Sequence, residues 1–252
     1  MSAPNEVRPC SLCREQEPLG FEFTMAFQPI VDFRDRSVYA YESLIRGIDG
    51  SSAASILAQV TDRNRYTFDQ ACRVTAVEMA SKLGMSCFLS INFLPNAVYQ
   101  ASTCIRATLA AAERCHFPTD RLIFEITENE RPDQAHLKNI VLEYQRQGFK
   151  TAFDDFGAGY AGLNLLSEFQ PDIIKLDMAL LRNIDKDHVR QTIVRGLLDI
   201  CRTLGVEVIA EGIEQIGELQ VLQSMGIYLF QGFLFAHPGF EELPAVHWPD
   251  IG

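Results

Sequence analysis

The run Thr24-Met25-Ala26-Phe27-Gln28-Pro29-Ile30-Val31-Asp32-Phe33, then Arg34-Asp35-Arg36-Ser37, then Val38-Tyr39-Ala40-Tyr41-Glu42-Ser43-Leu44-Ile45-Arg46-Gly47 decides how the fold begins. Two apolar runs flank four polar residues. A parallel crossover needs a dozen residues or more, so this gap permits only an antiparallel hairpin. Six more strand candidates follow, at Cys87–Phe93, Leu122–Glu128, Thr151–Phe156, Asp172–Asp177, Val206–Gly212 and Tyr228–Phe235. Helical patterns lie between most of them. Phe68–Leu83, Ala97–Cys115, Asp133–Gln147 and His188–Leu204 each carry apolar residues near i, i+3, i+4 and i+7. Gly84, Gly148, Gly205 and Gly226 each follow a helical stretch, where a left-handed cap suits glycine.

Eight strands with interleaved helices predict an α/β fold, a TIM-like (β/α)8 barrel with one antiparallel strand near its start. An open doubly wound sheet is the alternative. No linker, internal repeat or low-complexity segment interrupts the pattern. The expectation is one domain over residues 21–252 behind a polar, flexible tail over 1–20.

Composition narrows the function classes. Of the 252 residues, 47% are apolar and 22% charged, ordinary globular usage. No apolar run approaches the ~18 residues of a membrane span, and the first 20 residues lack the apolar core of a secretory signal. The cytoplasm is the expected compartment, with no membrane partner. A net charge of −11 argues against non-specific DNA binding. It leaves room for a phosphate-bearing substrate held through cations, which reverse the local field. Seven scattered cysteines do not form a disulfide framework. Cys10-x-x-Cys13 is the one suggestive spacing, and the tail offers no two further zinc ligands, which favours an incidental pair.

The decisive signal is polar. Strands buried on both faces read as continuous Val, Ile, Leu and Phe. Here most strands carry a polar residue toward their C-terminal ends: Glu42, Asn92, Glu125, Asp154 with Asp155, Lys175, Glu211 and Gln231. An unpaired buried carboxylate costs several kcal/mol, so such a set persists only if paired or metal-bound. In a barrel these strand ends converge on one mouth. Oxygen ligands without a His or Cys cluster favour Mg2+ or Mn2+ over zinc. Asp154 and Asp155 are neighbours, which a regular strand would point to opposite faces. For both to reach one site the backbone must turn there, and Gly157 and Gly159 follow. Paired carboxylates of this kind can hold two cations, one acid bridging.

These segments, in this order, resemble the EAL-domain family of cyclic-di-GMP phosphodiesterases. The likeness runs from Phe27-Gln28-Pro29-Ile30 to Gln231-Gly232-Phe233. The signature tripeptide reads Glu42-Ser43-Leu44, with Ser where the family has Ala. The remaining matches are Asn92, Glu125-Ile126-Thr127-Glu128, Asp154-Asp155-Phe156-Gly157-Ala158-Gly159-Tyr160, Lys175-Leu176-Asp177 and Ala210-Glu211-Gly212-Ile213-Glu214. The resemblance implies that Glu42, Asn92, Glu125 and Asp154 ligate one ion. Asp154 would bridge to a second, also held by Asp155. Glu211 is similar to the acid that binds metal or its water, and Lys175 to the group touching that water or the phosphate. Arg46 and Gln28 resemble substrate contacts, Gln231 an amide supporting the site, and Glu128 the anchor of the loop over residues 156–163. In that loop Gly-Ala-Gly-Tyr-Ala-Gly stands where Gly-Thr-Gly-Tyr-Ser-Ser is commoner, a loss of two hydroxyls that bears on loop ordering.

The implied activity is metal-dependent hydrolysis of c-di-GMP to linear 5′-pGpG by two Mg2+ or Mn2+ ions, in a homodimer. Two competing readings stand beside it. One is a catalytically silent EAL domain acting as a c-di-GMP receptor or protein-interaction module, though no metal ligand is missing. The other is an unrelated barrel lyase or aldolase using Lys175 as a Schiff-base nucleophile. Phe27, Phe93 and Phe233 are candidates to stack on guanine, though strand Phe residues are more often core. Many EAL proteins carry a sensory or cyclase domain for which 252 residues leave no room, so the chain is either stand-alone or a fragment.

Overall fold

In the computed structural model, which describes residues 17–98, 100–127, 133–157 and 162–250, the hairpin opens the fold as expected. Strand β1 (Phe23–Asp32) pairs antiparallel with β2 (Ser37–Gly47) along its whole length, Gln28 opposite Glu42. Then follow α1 (Ala53–Leu57), α2 (Arg65–Lys82), β3 (Phe88–Phe93), α3 (Ala101–Cys104), α4 (Arg106–Cys115) and β4 (Leu122–Thr127). Next come α5 (Gln134–Arg146), β5 (Lys150–Phe156), α6 (Gly162–Glu168), β6 (Ile173–Leu176), α7 (Met178–Leu181) and α8 (His188–Leu204). β7 (Glu207–Ala210), α9 (Ile216–Ser224), β8 (Leu229–Gln231) and the short β9 (Gly239–Phe240) complete the chain. Strands β2 to β8 are parallel neighbours in sequence order. β1 runs against both β8 and β2 and closes the ring, with β9 added along its edge. This is a (β/α)8 barrel with one antiparallel strand, not an open sheet.

The barrel interior has a lower apolar layer made of Ile30, Ala40, Ile123, Ala152, Ile173, Ile209 and Leu229. Each comes from a different strand, and each is at most 4% exposed. A larger cluster fills the space between the sheet and the helices, with Phe124, Tyr144 and Phe149 in mutual ring contact at 4.8–5.9 Å. One buried ion pair lies between helix and sheet. Arg73 Nη2 is 2.7 Å from Asp69 Oδ2, and Asp69 Oδ1 accepts from the Leu94 N–H just beyond β3.

Two expected elements differ. The pattern over Ala97–Cys115 is broken: Val98 is extended (φ −107°, ψ 91°), and two helices, α3 and α4, meet at Ile105. Apolar spacing marks the face both helices bury but carries no signal for the break. Strand β8 is three residues long where Tyr228–Phe235 was expected. Past Gln231 the chain leaves the sheet to bond the β7–α9 loop, Ile213 N–H to Gln231 O at 3.0 Å and Leu234 N–H to Ile213 O at 3.0 Å. All four helix-ending glycines adopt positive φ. Among the described residues no disulfide forms and no helix is long and apolar enough to cross a membrane. Cys10, Cys13, Glu128 and the loop residues 158–161 lie outside the described residues.

Candidate active site

The site is the next layer up the barrel. Successive side chains of a strand alternate faces, so the residue two beyond each member of the lower layer points inward again. Two beyond Ala40, Ile123, Ala152, Ile173, Ile209 and Leu229 stand Glu42, Glu125, Asp154, Lys175, Glu211 and Gln231. β1 runs the other way, so its member is two before Ile30, which is Gln28. On β3 both layers are polar, Ser90 below and Asn92 above, with Asn92 in register with Glu125. One side chain per strand therefore reaches a common level.

Lys175 is the hub. It is 1% exposed, and its Nζ lies 2.7 Å from Glu211 Oε1, 2.9 Å from Glu125 Oε2, 3.1 Å from Asp154 Oδ1 and 3.3 Å from Glu42 Oε2. Amides and a hydroxyl serve the acceptors of Glu42, Glu125 and Gln28. Asn92 Nδ2 donates to Glu42 Oε1 (2.7 Å), Gln231 Nε2 to Glu42 Oε2 (2.7 Å) and to Gln28 Oε1 (3.2 Å), and Ser90 Oγ to Glu125 Oε1 (2.5 Å). Gln28 Nε2 in turn donates to the Ala236 carbonyl at 3.1 Å, which fixes which way its amide faces.

One ammonium cannot neutralise four carboxylates, and the titration behaviour follows. Burial would lower the Lys175 pKa, but Asp154, Glu125, Glu211 and Glu42 outweigh it and raise the pKa well above the ordinary lysine value. Burial pushes Glu125 up to about 8, the Glu42 carboxylate adding to it and Lys175 opposing it. Glu211 is raised well above the usual carboxylate range, chiefly by burial, despite its contact with Lys175. Asp155 is raised by burial and then by Asp154 beside it.

The bend expected at the paired aspartates is present. β5 carries one residue more than β6 between the pairs Phe153↔Ile174 and Phe156↔Leu176, a bulge. Asp155 takes it up with φ +55°, a left-handed conformation that aspartate tolerates better than most side chains. Ligand atoms of Asp154, Asp155 and Glu211 then lie within 4.8 Å of one another. Just above them a cavity of about 330 Å³ opens to solvent, lined by Gln28, Glu42, Asp154, Asp155, Lys175, Glu211 and Gln231 among others. Phe233, 52% exposed, stacks on His237 at its rim, ring centroids 4.1 Å apart.

Not every expected residue converges. Asn92 and Glu125 sit in the network but do not line the cavity. Arg46 turns back on its own strand, its Nη1 donating to the Ile45 carbonyl at 2.7 Å, and is not among the lining residues. Phe27 and Phe93 are wholly in the core. Ser90 was missed, although its place two residues before Asn92 on a strand was legible as the same face. Glu218 was missed too. It is 1% exposed, and its carboxylate accepts from Asn183 N–H (2.8 Å), Gln215 N–H (3.1 Å) and Glu214 N–H (3.2 Å), tying together the loops after β6 and β7.

Comparison with known proteins fits this geometry. The family model described as "EAL domain" matches residues 15–238. The chain is 34% identical over 229 residues to the blue light- and temperature-regulated antirepressor BluF of Escherichia coli, covering 89% of this chain and 56% of that one. It is 40% identical over 108 residues to the cyclic di-GMP phosphodiesterase PdeR of the same organism, 43% of this chain and 16% of that. The chain thus spans about half the length, or less, of these two relatives. Among solved structures, a standalone versatile EAL protein from Vibrio cholerae O395 in its c-di-GMP-bound form superposes with a TM-score of 0.89 at 51% identity, covering 91% of this chain and 98% of that one. A manganese and cyclic-diGMP complex of Klebsiella pneumoniae BlrP1 gives 0.83 at 35% identity, covering 90% and 58%.

Proposed function

The chain belongs to the EAL-domain family, and on that premise we propose that it is a metal-dependent phosphodiesterase that opens cyclic di-GMP to linear 5′-pGpG. The observation that carries the reading is the intact layer of Glu42, Asn92, Glu125, Asp154, Lys175 and Glu211, with Asp155 turned in beside it.

The residues present fit divalent cations. Their donors are hard oxygens, the charge on four carboxylates exceeds that on one ammonium, and the buried Asp154 Oδ1 and Gln231 Oε1 accept no hydrogen bond. Glu42, Asn92, Glu125, Asp154, Asp155 and Glu211 would hold two ions, Mg2+ or Mn2+. Such ions, when bound, polarise a phosphate oxygen and lower the pKa of water toward neutrality.

The protein's own groups do the rest. Gln28 and Gln231 lock one another and hold the Glu42 carboxylate at a single orientation. Lys175 Nζ supplies fixed positive charge on the floor of the cavity, where charge grows on the non-bridging oxygens as water adds to phosphorus and the 3′ oxygen departs. Glu211, whose carboxylate lies within reach of Asp154 and Asp155 at the cavity wall, would accept the proton that water gives up once bound cations hold it ionised. The exposed face of Phe233 at the rim offers a surface for a purine ring.

A second reading has one observation in its favour: BluF, similar along 89% of this chain, is named an antirepressor. A chain of that kind would act through binding without turnover. Incubation with c-di-GMP and Mn2+ or Mg2+, with an EDTA control, separates the two. Metal-dependent pGpG, lost in Glu42→Ala and Asp154→Ala, is the expected result. Tight nucleotide binding without product would transfer the chain to the receptor class.

A further inference from the structure

Glu218 is a buried carboxylate that the proposed chemistry leaves without a task. It stands at the third position of α9 and is 1% exposed. A glutamate at this position commonly accepts from the N–H just before its helix, and Glu218 Oε2 does so from Gln215 at 3.1 Å. A helix cap needs no more than that and works as well at the surface. Here Oε2 also accepts from Glu214 N–H at 3.2 Å, and Oε1 accepts from Asn183 N–H at 2.8 Å, 35 residues earlier in the chain. Burying a carboxylate is costly unless hydrogen bonds fill it, and bonds from N–H groups to an ionised oxygen are the strong kind. The three N–H groups make this burial tenable. They come from two different loops, one loop to each oxygen.

Those loops form neighbouring walls of the cavity above Lys175. The loop after β6 begins with Asp177 and Met178 and runs through α7 to Asn183. The loop after β7 runs from Glu211 and Gly212 to Glu214 and Gln215. Asp177, Met178, Glu211, Gly212 and Glu214 all line the cavity. The two walls touch at Gly212, which has φ +66° and where a Cβ would stand 2.5 Å from Met178 Cβ, so a glycine is needed for them to close. On its other side the loop after β7 is bonded to β8, Ile213 N–H to Gln231 O at 3.0 Å. Glu211 therefore rides on a loop held from β8 at Ile213 and from Glu218 at Glu214. The Arg182–Glu214 ion pair, 2.8 Å long, joins the same two loops but is partly exposed, where such pairs contribute little.

We infer that Glu218 is a positioning residue for Glu211. Its carboxylate clamps the loops after β6 and β7 together and so sets where the Glu211 carboxylate stands beside Asp154 and Asp155. The inference rests on the two-cation reading of the site, and it implies a selective fault. Glu42, Asn92 and Glu125 stand on β2, β3 and β4, which the clamp does not touch, so the ion they would hold with Asp154 keeps its affinity. The ion that depends on Asp155 and Glu211 loses it.

The test is Mn2+ binding to the full chain by titration calorimetry, with turnover of c-di-GMP measured alongside. Wild type is expected to take up two ions. In Glu218→Ala one ion should bind at least ~10-fold more weakly, the usual effect of removing a group that orients a metal ligand, and kcat should fall with it. The other ion should stay within ~2-fold of wild type. In a Glu211→Gln background the same change should move Mn2+ affinity by less than ~2-fold, because the ligand it orients is already gone. Glu218→Gln keeps the length and one acceptor oxygen, and covers the case in which Glu218→Ala does not fold. It can serve only one loop, so it should weaken the same ion by a smaller factor. Equal weakening of both ions, or an equal loss with and without Glu211, overturns the inference and makes Glu218 a structural brace. Unchanged Mn2+ binding in the folded variants overturns it as well. A wild type that binds no Mn2+ removes the two-cation reading and this inference with it, an outcome that failure of the clamp alone does not produce.

Discussion

Replacing Lys175 by Met removes the one ammonium within 3.3 Å of Glu42, Glu125, Asp154 and Glu211 while leaving the aliphatic volume in place. At an effective dielectric of about 20, a charge pair near 3 Å is worth roughly 5 kcal/mol of gross attraction. The four attractions do not add, because the carboxylates already repel one another and some retreat by taking up protons. Breaking a buried ion pair from one side typically costs about 3–5 kcal/mol, and that is the loss expected at pH 8 in EDTA. For a chain of this size it corresponds to a fall of about 6–20 °C in Tm. The pH dependence has a definite sign. Glu125 and Glu211 already titrate above their ordinary values in the folded protein, Glu125 at about 8, and losing Lys175 raises them further. An acid whose folded pKa is raised contributes stability that is present below its unfolded pKa and lost as pH rises through the folded one. The variant's deficit against wild type should therefore be small near pH 5 and grow toward pH 8. Mn2+ should recover much of it by returning positive charge to the cluster. Thermal and urea unfolding at both pH values, with EDTA and with Mn2+, measure all of this. A deficit below about 1 kcal/mol at pH 8, or one equal at both pH values, would refute the assignment of Lys175 as the electrostatic centre.

Three further outcomes follow from neighbouring features. Glu125→Gln removes a carboxylate that is 0% exposed and crowded by like charge, so the metal-free protein should gain about 1 kcal/mol at pH 8. Its Mn2+ affinity should fall at least ~10-fold, read by titration calorimetry. Gly232→Ala would set a methyl 2.1 Å from Ile213 O and 2.3 Å from Ile213 N, both backbone atoms. Relief must separate the β8 end from the β7–α9 loop, at a cost of about 3 kcal/mol or more in urea unfolding. Arg73→Met strands the buried Asp69 and should cost about 3–5 kcal/mol, while the double change with Asp69→Leu recovers most of that loss.

How much of this was legible beforehand varied with how local each feature is. The hairpin was readable because a four-residue gap admits one connection, and the barrel because strand and helix periods alternate over the whole chain. The carboxylate layer was readable because period two fixes a strand residue's face regardless of its neighbours. Asp155 shows the same logic at its limit. Two adjacent acids required a bend, and the bulge with φ +55° is that bend. The break near Val98 and the early end of β8 were not readable, since both depend on contacts with distant segments.

What the sequence by itself determined is therefore which side chains face inward and in what order, since that depends only on backbone periodicity and connection length. The tertiary structure decided what they do to one another. Closing the ring brought eight strands to one level, made Lys175 the shared partner of four acids, put Gln28 across from Glu42, and left Arg46 folded on its own strand. Distances and pKa values belong to that closure, because charges far apart in the chain interact strongly only after burial has excluded the water between them.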